Sequence, residues 1–176
     1  TNINTEFWET HFMVSQDGSL AFFSSDRPGG FGGRDIYMCK KGTDGSWGTP
    51  LNLGPKINTK NDEDAPFLSI DNKQLYFASN GEKSIGGFDI LVSTLQENGI
   101  WNEPTNVGYP FNSTYDDIYY TTTVDGLRGY VTSFRPGGNG EKDIYEIKND
   151  FLGVKNIAVF KGIIKTTDGS TLPEDF

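Results

Sequence analysis

Short apolar runs, each about the length of one strand, are separated by turns rich in glycine and aspartate along most of the chain. Leu20 to Ser25 is apolar on both faces, with Leu20 and Phe22 opposite Ala21 and Phe23. That is the pattern of a strand covered on both sides. His11 to Ser15 predicts the strand before it. Gln16-Asp17-Gly18 predicts a hairpin between the two, because Asp-Gly supplies the positive φ of a tight turn. Asp35 to Lys41 predicts a third strand, carrying Ile36, Tyr37, Met38 and Cys39, and Trp47 to Leu53 leads into a fourth. The same order returns as Ala65–Ser69, Gln74–Ser79, Asp89–Leu95 and Trp101–Val107. It returns again, shortened, as Ile118–Thr122, Arg128–Ser133 and Asp143–Ile147. No helical period stands out anywhere.

The recurrence has a fixed step. Asp35, Asp89 and Asp143 lie 54 residues apart, as do the turn residues Asp17, Asp71 and Asp125. Trp47 pairs with Trp101, Gly54 with Gly108 and Asn58 with Asn112 at the same spacing. Short strands repeated at roughly this period predict one supersecondary unit used several times, and the propeller blade is the usual one. The expected fold is all-β, a partial β-propeller of three blades followed by the first strand of a β-sandwich. Residues 1–8 read as the end of a preceding repeat, since Ile3-Asn4-Thr5 matches Ile57-Asn58-Thr59. Residues 9–62 and 63–116 are full blade repeats, and 117–150 a third without the tryptophan and proline of the others. In 151–176, Val159 to Ile164 reads as the opening strand of the sandwich. Three blades predict two apolar faces open to water, to be covered by blades from the same protein, a second copy or a partner.

Composition narrows the partners. The net charge over 176 residues is −9, which repels phosphate backbones and argues against nucleic acid. No apolar run approaches the roughly 20 residues of a membrane-spanning helix. A single cysteine, Cys39, excludes an internal disulfide and leaves the redox compartment open. The chain starts without methionine or a signal peptide, as expected of a piece of a longer product.

Candidate chemistry is sparse. Asp35, Asp89 and Asp143 each follow a glycine-rich loop and are expected to cap it by accepting backbone N–H groups. An active site is normally built once, so threefold repetition favours that structural role. Asp62, Asp64 and Asp116, near Asn58 and Asn112, are weak candidates for Ca²⁺, which takes about 6–8 oxygen ligands, but no calcium-loop spacing is present. No cofactor motif is present, and none is expected. Arg27, Arg34 and Arg135 are candidate rim-loop contacts. Arg27 and Arg135 could reach an anionic partner, but packing on a neighbouring aromatic or local pairing is the favoured reading for them. Trp47 and Trp101 are expected to pack between blades, with a sugar platform as the alternative. His11, the only histidine, has no nucleophile or acid at a catalytic spacing, and Cys39 sits in an apolar strand as an inert thiol. No catalytic residue is expected.

Ser24-Ser25-Asp26-Arg27-Pro28-Gly29-Gly30, Gly32-Gly33-Arg34-Asp35-Ile36-Tyr37 and Ser69 to Ser79 resemble the TolB-like, WD-repeat-like propeller repeat. The Trp101-Asn102-Glu103-Pro104 segment, continued by Asn106-Val107-Gly108, resembles a subgroup found in OmpA-family envelope proteins of gliding, type IX-secreting Gram-negative bacteria. The resemblance covers about residues 9–150 and implies a fold far more strongly than an activity. In that subgroup a carboxypeptidase-regulatory-like β-sandwich follows the propeller, which is how residues 151–176 are read. It implies a non-catalytic scaffold in the periplasm, associated with the outer membrane, with periplasmic or outer-membrane proteins as partners. The alternatives are the non-catalytic propeller domain of a periplasmic hydrolase and a glycan-binding propeller.

Overall fold

The computed structural model describes residues 2–148, which carry eleven strands and no helix. They form three antiparallel sheets. The first pairs β1 (Glu9–Val14), β2 (Leu20–Ser25), β3 (Asp35–Lys40) and β4 (Leu51–Asn52) in that order. The second pairs β5 (Glu63–Leu68), β6 (Gln74–Ser79), β7 (Asp89–Thr94) and β8 (Thr105–Asn106). The third holds β9 (Asp117–Thr122), β10 (Arg128–Ser133) and β11 (Asp143–Lys148). This is the arrangement of consecutive propeller blades. The proposed sandwich strand, and any fourth strand of the third blade, lie outside the described residues.

The hairpin turns have the chemistry their sequences predict. Gly18 and Gly126 take positive φ, and Asn72 does so at the same step of the second blade, because its short polar side chain tolerates the left-handed region. Differences from the expected elements are local. The fourth strands are two residues long, and Trp47 and Trp101 join their sheets only through isolated bridges to Lys41 and Leu95. Pro50 and Pro104 lack the N–H that would extend pairing upstream, so these strands stay short at the outer edge. The first strands begin earlier than the apolar pattern suggests, at Glu9, Glu63 and Asp117. Their pairing resumes beyond a bulge, as in Glu9 opposite Ser25.

Two cores fill the joints between blades. Phe22 and Ile36 of the first blade meet Leu75, Phe77 and Leu91 of the second, with Trp101 edge-on to Phe22. Tyr76, Ala78 and Ile90 of the second meet Tyr120, Val131 and Ile147 of the third. Strands β1, β5 and β9, the inner edges of the sheets, run side by side across these joints.

The two outward faces are less apolar than expected, with Phe12 and Ile144 exposed on them. On the outward side of the first blade, Ala21, Phe23, Tyr37 and Cys39 are buried under Ile3 and Trp47. Arg27 stacks on the Phe23 and Tyr37 rings, 4.9 Å from each centroid. On the outward side of the third blade, Arg128 and Glu146 form an ion pair of 2.7 Å, so that face is largely polar.

Candidate functional site

The inner strands carry a feature absent from the sequence pattern. His11, Ala65 and Tyr119 have φ of 49°, 48° and 58°. They stand 54 residues apart, each at the register shift of its inner strand. Positive φ is costly for a residue with a side chain, and its repetition means that the bulge is built into the repeat. It turns three side chains toward neighbouring blades at the axial end of the sheets.

There the residues differ from blade to blade and meet. Nδ1 of His11 lies 2.5 Å from Oδ1 of Asp64, and its Nε2 lies 3.0 Å from the Tyr119 hydroxyl. The His11 and Tyr119 rings are 4.7 Å apart. Arg34 reaches the other Asp64 oxygen at 2.6 Å and lies 5.7 Å from the centre of the Phe88 ring. Lys142, the third-blade counterpart of Arg34, pairs with Asp116 at 3.4 Å. A cavity of about 190 Å³ is lined by these groups, among them His11, Arg34, Phe88, Tyr119 and Lys142. Burial works against the Asp64 charge. The hydrogen bond and charge of His11, the Ala65 N–H and the Arg34 guanidinium outweigh it and hold the carboxyl below its usual value. An ionised Asp64 fixes His11 with its Nδ1 proton toward the carboxylate and Nε2 toward Tyr119.

Sequence reasoning missed this cluster. The acid and hydroxyl around His11 are 53 and 108 residues away in the chain. The usable signal was the 54-residue step itself. Positions 10, 64 and 118, and 11, 65 and 119, are equivalent places around one axis, so unlike residues there must be neighbours.

The other candidates sit elsewhere. Asp35 accepts the N–H groups of Phe31 and Gly32 and an amide N–H of Asn52. Asp89 accepts from Ile85 and Asn106, and Asp143 from Asn139. Asp62 and Asp116 accept the backbone N–H of Arg34 and Phe88, tying each glycine-rich loop to the next connection. Asn58 and Asn112 are buried and bracket the main chain of Ile36 and Ile90, with both N–H and carbonyl engaged. Among the described residues no three His, Cys, Asp or Glu side chains converge as a metal-ligand set. Arg27 and Arg135 are mostly buried, each bonded to a carboxylate of its own blade, Glu9 and Asp117. Trp101 is buried in a joint, and Trp47 is partly exposed beside Phe12 on the outward side of the first blade. Burial raises the pKa of the Cys39 thiol.

No protein-family model matches the sequence, and no curated protein does. Solved structures do. TolB from Acinetobacter baumannii superposes over 80% of this chain and 30% of its own, at 16% identity and a TM-score of 0.54. A putative TolB from Agrobacterium tumefaciens does so over 85% and 46%, at 20% identity and a TM-score of 0.55. A periplasmic gluconolactonase from Pseudomonas aeruginosa is more distant, at 15% identity and a TM-score of 0.46 over 92% and 48%. The chain spans less than half the length of each. At these identities the two TolB structures show a shared fold, the TolB-like β-propeller.

Proposed function

We propose that the chain is a non-catalytic protein-interaction module, and that its partner docks over the axial mouth lined by His11, Arg34, Asp64, Tyr119 and Lys142. One observation carries this reading. The repeat keeps its loop-capping aspartates, bracketing asparagines and turns, yet places His11, Ala65 and Tyr119, and Arg34, Phe88 and Lys142, at its axial positions. Mixed charges, an aromatic rim and a small cavity suit recognition of a polypeptide surface, where aromatic and arginine side chains supply most of the binding energy. The finer reading is a scaffold of the Gram-negative envelope, periplasmic and associated with the outer membrane, linked to type IX secretion or gliding. It rests on the resemblance of the Trp101 to Pro104 repeat segment to OmpA-family proteins.

In-cell cross-linking of the full-length protein, followed by mass spectrometry, tests both levels. Cross-links from Lys142 to envelope proteins, lost in Arg34→Ala, are expected, and secretion or gliding proteins among them support the finer reading. Self-cross-links alone, unchanged in Arg34→Ala, overturn it.

A second reading has one specific observation behind it. Tyr119, His11 and Asp64 form a continuous hydrogen-bonded chain, the geometry of an oriented acid–base pair. Hydrolysis of ester or lactone substrates by the full-length protein, lost in Tyr119→Phe, would favour this reading over docking.

A further inference from the structure

Each blade sets one carboxylate at the start of its inner strand: Glu9, partly buried, and Glu63 and Asp117, fully buried. In the first blade, Thr5 donates to Glu9 through its N–H and hydroxyl. Arg27 completes the site. Its Nη2 reaches Glu9 at 3.0 Å and the Ile3 carbonyl at 2.6 Å, and its Nε reaches the Ser25 hydroxyl at 3.1 Å. The third blade repeats this with Arg135, whose Nη2 lies 2.8 Å from Asp117 and 2.7 Å from the Phe111 carbonyl. Its Nε lies 3.1 Å from Ser133, and its guanidinium covers the Tyr145 ring.

The second blade has every part except the arginine. Glu63 accepts from the Thr59 N–H at 2.7 Å and from the Thr59 and Ser79 hydroxyls at 2.8 Å. Ile57 stands where Ile3 and Phe111 supply their carbonyls. The residue equivalent to Arg27 and Arg135 is Gly81. In its place is a cavity of about 290 Å³, lined by Ile57, Thr59, Ser79, Gly81 and Leu91. These are the counterparts of the groups that surround the two arginines. Pockets for drug-sized ligands start near ~300 Å³, so the space suits one long side chain. Glu63 is 0% exposed and lies just behind Thr59 and Ser79. Lys56, Lys60 and Lys83 also line the cavity. Among the described residues, however, no cation pairs with Glu63: Lys60 pairs with Glu82, and Lys83 with Glu103 and the Pro104 carbonyl.

We propose that this cavity is a receptor for the guanidinium of an arginine side chain from a partner polypeptide, which takes in trans the position that Arg27 and Arg135 fill in cis. Arg27 and Arg135 each bond a carboxylate, a hydroxyl and a main-chain carbonyl, a set that suits a planar guanidinium better than an ammonium. The second-blade counterparts are Ser79 and Ile57 in the cavity wall, with Glu63 buried behind it. The −9 net charge of the chain draws a cationic segment toward it. Burial raises the pKa of Glu63, while at Glu9 burial is outweighed by the hydrogen bonds from Thr5 and Ser25, with the charge of Arg27, which lower it. The inference gives chemistry to the partner of the interaction reading and rests on that reading only for the source of the arginine.

The test is an NMR titration of the full chain with Nα-acetyl-arginine N-methylamide, with the lysine and citrulline analogues as controls. The arginine probe is expected to shift the amides of Ser79, Gly81 and Leu91, and the uncharged citrulline analogue to leave them in place. Gly81→Arg is expected to raise the melting temperature and weaken probe binding at least about tenfold. Gly81 has an ordinary φ, and an added Cβ meets only side-chain ends, the closest being Ser79 Oγ at 3.2 Å. If that variant folds poorly, Ser79→Ala must weaken the titration instead. Equal shifts from arginine and citrulline, a preference for the lysine analogue, or no shift of these amides overturns the proposal. A titration that succeeds while envelope proteins fail to cross-link leaves the receptor standing and removes the interaction reading.

Discussion

The joint between the first two blades and the outward face of the third are built on equivalent backbone, and three of four facing side chains differ between them. Leu20, Phe22, Ile36 and Met38 of the first blade pack on the second. Their third-blade counterparts are Arg128, Tyr130, Ile144 and Glu146. Two charges replace two aliphatic groups, and Glu146 accepts from both Arg128 and the Tyr130 hydroxyl. The glycine loops differ in the same sense. A Cβ on Gly32 would lie 2.1 Å from the Asn61 carbonyl oxygen of the next connection, while one on Gly140 meets nothing within 4 Å. Where Gly33 and Gly87 press against Asp62 and Asp116, the third blade has Glu141. Strand pairing therefore sets the blade, and a few outward positions decide whether it receives a neighbour of the same kind.

The largest contrast is expected from truncating one apolar side chain on each side. Phe77 is 0% exposed in the joint, and Phe77→Ala should cost about 3–5 kcal/mol in denaturant unfolding. Ile144 is 76% exposed, and Ile144→Ala should stay within about 0.5 kcal/mol. Comparable losses would mean that something covers the third face in solution. The glycines give the next largest difference. Gly32→Ala forces backbone apart at the joint and should cost about 1–3 kcal/mol or more, as overpacking does. Gly140→Ala should be neutral or stabilise by up to about 1 kcal/mol through the unfolded chain.

Converting the outward face should change association more than stability. The double variant Arg128→Leu, Glu146→Leu recreates the apolar pattern of Leu20 and Met38. Its sedimentation coefficient is expected to rise with concentration more steeply than that of the parent chain. A profile identical to the parent would show that charge at these two positions does not keep the face wet.

The period made the blades legible. Leu20–Ser25 and Gln74–Ser79 run where the apolar pattern places them, and Arg128–Ser133, polar on one face, runs where the 54-residue step places it. The glycine-rich loop was legible as a turn but not as a contact. Only the fold shows that Gly32 and Gly86 lie against the next blade's connection. The acidic groups around 62–64 and 116–117 divide by direction in a way no local motif marks. Asp62 and Asp116 tie loops, Asp64 faces the axis, and Glu63 and Asp117 point inward. The axial cluster was illegible for the same reason, since Asp64 and Tyr119 reach His11 through blade closure alone.

The smallest expected effect is a difference in sign. At the joint, burial outweighs the hydrogen bonds from Thr59 and Ser79 and raises the pKa of Glu63. A carboxyl raised on folding binds its proton more tightly in the native state. Its contribution to stability is thus complete below the ordinary glutamate value of 4.5 and is lost as pH rises through the folded value. On the outward face, hydrogen bonds from Arg128 and Tyr130 lower the pKa of Glu146. Its contribution is complete above 4.5 and disappears as pH falls through the folded value. Melting temperatures of Glu63→Gln and Glu146→Gln, each measured against the parent from acid to neutral pH, should therefore diverge. The Glu63→Gln difference should become more favourable as pH rises, and the Glu146→Gln difference less so. Parallel profiles would mean that Glu63 is ionised and compensated in solution. A cation would then already occupy the place that Arg27 holds beside Glu9, and the second blade would differ from its neighbours in the source of its charge rather than in lacking one.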